Sequence, residues 1–244
     1  MIGIFLSLWF GFTDTRSSEP LAAYGFLDKP TYSIKRIRRG PSQEYTPQAG
    51  DILLYSDPDI FWATMYFMAG TGAPGHAGLV ARNLDGTMSV LEAGYNESLW
   101  VRFVPLDQRL KDYPGTIWVR SRLTPISPEA DLRLTEFAHL VDCRRYSAVR
   151  LLSQLTPFRA RGPLRTIWFG KPRGIRNDYI CSEAVLEGLV YAGLLDAKTT
   201  RPSATYPRDM FFDHSMNPYI NRHLKLQCSW QVPALWQPTP APMP

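Results

Sequence analysis

The stretch Tyr-Ile-Cys-Ser-Glu-Ala-Val at residues 179–185 is typical of the first turn of an amphipathic helix, and it places Cys181 at the start of that helix. Apolar residues at Val185 and Leu189 continue the helical pattern, and Gly193 is a natural position for the helix to end. A cysteine at a helix N-terminus lies at the positive end of the helix dipole, which favours the reactive thiolate. The stretch therefore predicts a nucleophile, which needs an imidazole as its partner.

A histidine suited to that role lies about a hundred residues earlier, in Gly-His-Ala-Gly-Leu-Val at residues 75–80. We expect this segment to be a loop that opens into a buried strand running from His76 to about Arg82. The turn residues Asn-Leu-Asp-Gly follow at 83–86, and residues 87–93 are predicted to return as a second strand. The histidine would then lie at the start of a β-hairpin.

Glu92 is the candidate third member of the site, because an acid beside an imidazole fixes its tautomer and stabilises the imidazolium. A two- or four-residue hairpin loop would place Glu92 opposite Leu79, on the other face from His76. A three-residue loop with Gly86 in the left-handed conformation would instead place Gly78 opposite Glu92, one diagonal step from His76. The triad hypothesis requires that loop or a bulge, and the alternative is a Glu92 that faces solvent.

The rest of the pattern predicts a mixed α+β domain. Further strands are expected at 52–55, 99–105 and 115–120, and helices at 60–69, 128–144 and 148–155. A long loop is expected at 156–178, and the chain beyond 196 is expected to be mostly irregular. We divide the chain into an N-terminal apolar segment and connecting arm at 1–49, a single α+β domain at 50–232 and a Pro-rich tail at 233–244 that has no core-forming pattern.

The predicted helix at 60–69 is rich in large apolar side chains, and its end leads into the loop before His76. One interpretation is that Trp62 and Tyr66 line an apolar substrate groove, and the alternative is ordinary core packing. Tyr179 has two interpretations as well. Its hydroxyl could donate to an oxyanion, or the residue could be a packing residue.

Composition limits the class of protein. The chain has 244 residues, of which 45% are hydrophobic and 20% are charged, as in a globular protein. Its three cysteines are widely spaced and include no CxxC, so neither a disulfide framework nor a structural zinc site is expected. We expect no metal and no organic cofactor. A pairing of His139 with Cys143 as metal ligands is the disfavoured alternative.

The net charge of +5 is modest, and the densest basic run lies at 35–39. Proteins that bind single-stranded nucleic acid place aromatic residues among the basic ones, and this pattern is missing there. No nucleic-acid partner is therefore expected. The apolar segment 1–12 is too short to span a bilayer and lacks the basic residues that precede the core of a signal peptide. Peripheral membrane contact through 1–12 and 35–39 is one expectation and a solvated linker at 35–39 the other. For the segment 1–12, a degenerate signal or anchor and a buried strand or helix are equal alternatives. Cytoplasmic and membrane-associated locations both remain open.

The joint order of several short motifs resembles the YiiX/YaeF-like permuted papain-like amidases, which are circularly permuted relatives of the NlpC-type cell-wall peptidases. These motifs are Gly-Asp-Ile-Leu-Leu from 50, His-Ala-Gly-Leu-Val from 76, Val-Leu-Glu-Ala from 90, Tyr-Ile-Cys-Ser-Glu from 179 and Tyr-Pro-Arg-Asp-Met from 206. In papain-like hydrolases the cysteine precedes the histidine, whereas here the histidine comes first. The similarity runs from about 50 to about 212.

The resemblance implies Cys181 as nucleophile, His76 as base and Glu92 as the polar third residue. It also implies a small antiparallel sheet packed on the cysteine helix. The expected activity is that of a thiol protease or amidase that cleaves a peptide or acyl-amide substrate through an acyl-thioester. The alternatives are a lipid-directed acyltransferase or lipase with the same Cys-His pair, and a binding module that has lost the chemistry.

Overall fold

The computed structural model describes residues 24–28, 42–56, 64, 67, 71–94, 98–153 and 156–239. The apolar segment 1–12, the basic run 35–39 and most of the helix predicted at 60–69 lie outside the described residues. Trp62 and Tyr66 belong to that part of the chain, so their roles as substrate-binding residues stay predictions.

An antiparallel sheet dominates the described part of the chain. Its strands are β1 (Phe26–Asp28), β2 (Ser42–Glu44), β3 (Ile52–Ser56), β4 (His76–Arg82), β5 (Met88–Ala93), β6 (Val101–Pro105), β7 (Thr116–Arg120) and β10 (Ala234–Gln237). Their spatial order is β2-β1-β10-β7-β3-β4-β5-β6. A separate parallel pair joins β8 (Arg145–Tyr146) to β9 (Asp178–Tyr179). The α+β class and the five strands predicted between 52 and 120 are confirmed, but the sheet is larger than the small one expected.

Helices follow and interrupt these strands. They are α1 (Leu106–Asp112), α2 (Pro128–Val141), α3 (Ala148–Leu152), α4 (Cys181–Tyr191), α5 (Pro207–Phe212) and α6 (Pro218–His223). Shorter turns lie at Arg165–Phe169, which is π-helical, and at Pro202–Ala204 and Leu226–Cys228, which are 3₁₀. In the ranges that the structure describes, no helix combines the length and apolarity needed to cross a bilayer.

The prediction of a mostly irregular chain beyond 196 is wrong. Pro202, Pro207 and Pro218 each stand at the beginning of a helical segment. Proline has no backbone N–H to lose at the first helical position, and its fixed φ suits a helix start. These prolines therefore begin helices, although the same residues between weak apolar patterns suggested loops.

The prediction of a tail without a core-forming pattern is also wrong for residues 234–237. Strand β10 pairs with β7 on one side and with β1 on the other, and Ala234 and Leu235 are buried. Part of the predicted connecting arm joins the same sheet as β1 and β2. These short strands are stabilised by pairing with distant residues, such as Ala234 with Val119, so a local pattern could not predict them.

The sheet is covered on both faces. One face packs against α2 and α4 and buries alternate residues of the central strands, such as Ile52, Leu54 and Leu79. The other face packs against α1 and buries the intervening residues, such as Leu53 and Val80. The side chains on both faces of the central strands are therefore apolar, as in strands that are buried on both sides.

Helix α4 lies unusually close to the sheet, because Gly188 faces β4. A Cβ atom added at Gly188 would lie 2.7 Å from Leu79 Cδ2 and 3.1 Å from a ring carbon of Phe137. The helix ends in a Schellman motif, in which Leu194 N–H donates to Leu189 C=O at 2.8 Å and Gly193 adopts φ +75°. The helix end predicted at Gly193 is confirmed. The close contact fixes the position of the helix that carries Cys181.

We expect Gly188→Ala to destabilise the protein. Overpacking a core costs about 1–3 kcal/mol, which exceeds the gain of up to about 1 kcal/mol from replacing glycine by alanine in a helix. Urea unfolding midpoints measure the difference. Leu79→Ala removes the closest atom that the new methyl group would meet and leaves the Phe137 contact, so Gly188→Ala should cost less in that background. A stabilising effect of Gly188→Ala in the otherwise unchanged protein would contradict the close approach.

Candidate active site

The β4–β5 hairpin has the register that the triad hypothesis requires. Asn83 N–H donates to Thr87 C=O at 2.7 Å, and Gly86 adopts φ +87°, so the loop contains three residues. Gly78 lies directly opposite Glu92. Leu79 belongs to the opposite face, in the cluster that packs against α4. The predicted loop and register are confirmed.

His76 and Glu92 meet on the α1 face of the sheet. His76 Nε2 lies 3.1 Å from Glu92 Oε2, and Glu92 is fully buried. Gly78 leaves the room for this contact, because a Cβ atom there would lie 2.9 Å from Glu92 Cγ and 2.7 Å from Val90 Cγ2. The absence of a side chain at Gly78 therefore allows the carboxylate to reach the imidazole.

Cys181 also interacts with this imidazole. It is the first residue of α4, which packs on the opposite face of the sheet, and its Sγ lies 3.9 Å from Gly75 C=O, just before the start of β4. Burial lowers the pKa of His76, but hydrogen bonding to Cys181 and to Glu92, together with their charges, raises it from 6.5 to about 9. The imidazole at the strand end thus connects the cysteine of one face with the carboxylate of the other.

Two further residues hold the Glu92 carboxylate, and the sequence did not reveal them. Arg109 in α1 donates from Nε to Oε1 at 2.9 Å and from Nη2 to Oε2 at 2.8 Å. The Tyr55 hydroxyl donates to Oε1, and Tyr55 pairs with His76 across β3 and β4. In the sequence, the i, i+4 spacing of the apolar residues Leu106 and Leu110 is the pattern that indicates a helical turn. Nothing in the local pattern indicated that the arginine between them is buried.

This network keeps Glu92 ionised. Burial raises the pKa of its carboxyl group, but hydrogen bonding and charge from His76, and then from Arg109, hold it below its ordinary value. Burial, with the nearby Glu92 charge, raises the pKa of Tyr55 well above its ordinary value, so the hydroxyl keeps its proton and donates it. An ionised carboxylate can only accept, and the imidazole therefore presents its Nε2–H to Glu92.

The start of α4 is fixed by charges on the side of the helix away from Cys181. Glu183 Oε2 accepts from the Ile180 N–H at 3.0 Å, which caps the helix. The same oxygen lies 3.2 Å from Arg150 Nε and 3.4 Å from Arg176 Nη2. A buried carboxylate with cationic partners thus holds the first turn in place.

Two roles were predicted for Tyr179, an oxyanion donor and a packing residue, and its contacts are those of a packing residue. Its hydroxyl donates to Gly174 C=O at 2.9 Å and accepts from the Arg176 N–H at 2.6 Å, and its ring packs edge-on against Phe137. A hydroxyl has one proton, and this one is already donated within the protein.

No group of three or more His, Cys, Asp or Glu side chains lies close enough to hold a metal ion within the described ranges. Cys143 accepts a hydrogen bond from Arg102 at 3.2 Å, and His139 packs edge-on against Phe103. The two residues predicted as the alternative ligands thus have other partners.

Removing the positive charge beside Glu92 should destabilise the fold. Arg109→Gln leaves a buried carboxylate without its cation, a change that typically costs about 3–5 kcal/mol. Urea unfolding at neutral pH is the measurement. The control is Lys111→Gln on the same helix, where an exposed pair with Asp107 should contribute at most about 1 kcal/mol. Adding Glu92→Gln to Arg109→Gln should recover part of the loss, and a fully additive double variant would contradict the pairing.

The raised pKa of His76 predicts a pH dependence of stability. A group whose pKa is higher in the folded state than in the unfolded state stabilises the folded state. This stabilisation is complete at pH values where the group is protonated in both states. The contribution of His76 should be fully present below pH 6.5 and should be lost as the pH rises through about 9. The difference in unfolding free energy between the unchanged protein and His76→Gln, measured from pH 6 to 10, tests this. A difference that stays constant over that range would contradict the assignment.

No family model matches the chain, and no curated protein matches it. A solved structure that is similar to it is the crystal structure of metalloprotein yiiX from Escherichia coli O157:H7, DUF1105, with 19% sequence identity and a TM-score of 0.42. The similarity covers 61% of this chain and 67% of that chain. A likeness of this size assigns no function, so the chemistry of the chain has to be inferred from its own side chains.

Proposed function

We propose that the chain is a cysteine hydrolase that cleaves an amide bond, with Cys181 as nucleophile, His76 as general base and acid, and Glu92 as the residue that orients the imidazole. The observation that carries the proposal is that one imidazole, that of His76, interacts with both Cys181 and Glu92. The cysteine lies at a helix N-terminus, and the Nε2 of the imidazole lies 3.1 Å from a buried carboxylate. This is the arrangement that nucleophilic catalysis by a thiol requires.

The reaction would proceed in two steps. Because its pKa is raised to about 9, His76 is an imidazolium at neutral pH, paired with the Cys181 thiolate, and this thiolate attacks the amide carbon. The C–N bond then breaks as the imidazolium gives its proton to the leaving amine, and an acyl-thioester on Cys181 remains. Water then attacks the thioester carbon while His76 accepts its proton, and the carboxylic acid is released as the thiolate–imidazolium pair is restored.

The backbone offers a donor for the oxyanion of these steps. The first N–H groups of a helix have no acceptor within the helix, and Cys181 is the first residue of α4. Its N–H, close to the attacking sulfur, is the proposed oxyanion donor. The neighbouring Ile180 N–H is already donated to Glu183, so it does not compete for this role.

The permuted papain-like fold is part of the same proposal. It is supported by the chain order, in which the histidine strand β4 precedes the cysteine helix α4, and by the packing of α4 on the antiparallel sheet. A peptide or related acyl-amide is the proposed substrate class. Lipid-directed acyl transfer by the same Cys-His pair, and a non-catalytic binding module, are the competing functions that the experiment below separates.

We expect amide- and ester-based activity probes to form a covalent adduct on Cys181 alone. Intact mass measurement followed by peptide mapping locates the adduct. Cys143 and Cys228 are exposed while Cys181 is buried, so accessibility alone would favour the other two thiols. Cys143→Ser and Cys228→Ser are therefore the matched controls and should keep the adduct. Cys181→Ala and His76→Gln should lose it, the latter by about 100-fold or more in rate.

Each alternative outcome has a clear meaning. Equal labelling of Cys143 or Cys228 would remove the assignment of Cys181. No adduct from any probe, with Cys181 intact, would favour the binding module. Protection of Cys181 by an acyl chain, but not by peptides, would favour the lipid-directed enzyme.

A further inference from the structure

An unusually basic segment lies beside the start of α4. Residues 156–176 contain no Asp or Glu, and their basic side chains are Arg159, Arg161, Arg165, Lys171, Arg173 and Arg176. Arg159, Lys171 and Arg173 are exposed. This part of the surface therefore carries a local positive charge that the modest net charge of the chain does not reveal.

The same segment exposes large apolar side chains. In the π-helical turn Arg165–Phe169, the consecutive residues Ile167, Trp168 and Phe169 are 57%, 66% and 47% exposed. Phe158, also exposed, lies beside them, with its ring centroid 6.3 Å from that of Phe169. Three consecutive large apolar side chains facing water are unfavourable unless another apolar phase covers them.

Buried polar contacts hold this turn in its outward position. Arg201 Nε donates to Thr166 C=O at 2.8 Å, and Asn217 donates to the Thr166 hydroxyl at 2.7 Å. Arg165 is buried and donates to Phe158 C=O at 2.7 Å. The inner residues of the turn are thus bound to the protein, and the outer residues are presented to the surroundings.

Basic and apolar groups share one surface here. A cavity of about 280 Å³ is lined by Phe158 and Phe169 together with Arg165, Arg173 and Arg176. Lys171 follows Phe169 by two residues, and Arg159 follows Phe158 directly. Each exposed aromatic residue therefore has an exposed cation close to it in the chain.

We propose that residues 158–173 form a docking surface for an anionic phospholipid bilayer. Ile167, Trp168 and Phe169 enter the interface, and Arg159, Lys171 and Arg173 contact the phosphate-bearing headgroups. Charge complementarity favours this occupant, because anionic lipids attract basic residues and tryptophan prefers the membrane–water interface. The proposal does not depend on the proposed enzymatic function.

The surface is connected to the candidate active site through one layer of side chains. Arg176, which lines the cavity, lies 3.4 Å from Glu183, two residues after Cys181. Docking would therefore place the start of α4 next to the bilayer, whereas Cys181 itself lies on the other side of that helix, toward Gly75.

Sedimentation with vesicles tests the proposal on the full chain. We expect it to bind vesicles of phosphatidylcholine mixed with phosphatidylglycerol, and to bind less as salt is raised. Trp168→Ser with Phe169→Ser should weaken binding by roughly tenfold or more. Lys171→Ala with Arg173→Ala should weaken it by roughly fivefold per residue on anionic vesicles. On vesicles of phosphatidylcholine alone, the second pair should have little effect.

Leu132→Ser is the matched control, because Leu132 is 69% exposed on α2 and lies outside the docking surface. It should bind vesicles like the unchanged protein. Circular dichroism and the Cys181 adduct without vesicles show whether each variant keeps its fold and site. Failure of the folded, unchanged protein to bind anionic vesicles would overturn the proposal. Normal vesicle binding by the Trp168 and Phe169 variant would also overturn it. A changed oligomeric state of that variant in analytical ultracentrifugation would then assign the surface to contact between copies of the chain.

Discussion

The charge of Glu92 is the constraint on which the rest of the site depends. A carboxylate with no exposed surface is tolerated only when its oxygens are satisfied. Both oxygens accept from Arg109, one also accepts from Tyr55, and the other faces His76. These partners come from α1, β3 and β4, so the position of a helix and of two strands is tied to one ionised group. The tautomer and orientation of the imidazole follow from the same group.

The site also depends on where the strand β4 begins. A residue in the middle of a sheet can present its side chain to one face only, since successive side chains alternate. His76 is the first residue of β4, and its imidazole therefore lies where the two faces meet. The acid reaches it from the α1 side, and the cysteine reaches it from the α4 side. Gly78 and Gly188 serve this arrangement, because each leaves room for a close approach that a methyl group would block.

Much of the site was predictable from the sequence, because it depends on local geometry. The three-residue hairpin loop with a left-handed Gly86 is one of the loops that the sequence allows, and the helix start follows from the pattern at 179–185. Arg109 and Tyr55 could not be predicted, because their role depends on which residues α1 and β3 contact after folding. The strands β1, β2 and β10 escaped prediction for the same reason. Their residues have little strand pattern of their own and are held by partners far away in the chain.

The place of β10 has a consequence for how the sheet is assembled. In the described sheet, β10 lies between β1 and β7, so the β1–β2 pair reaches the central strands only through residues that are made about 200 positions later. During synthesis, the strands from β3 to β7 can pair while the β1–β2 pair still lacks its neighbour β10. An unpaired strand edge is a template for association with other chains. Completion of this sheet is therefore a late, long-range step in folding, and the chain is exposed to aggregation until that step occurs.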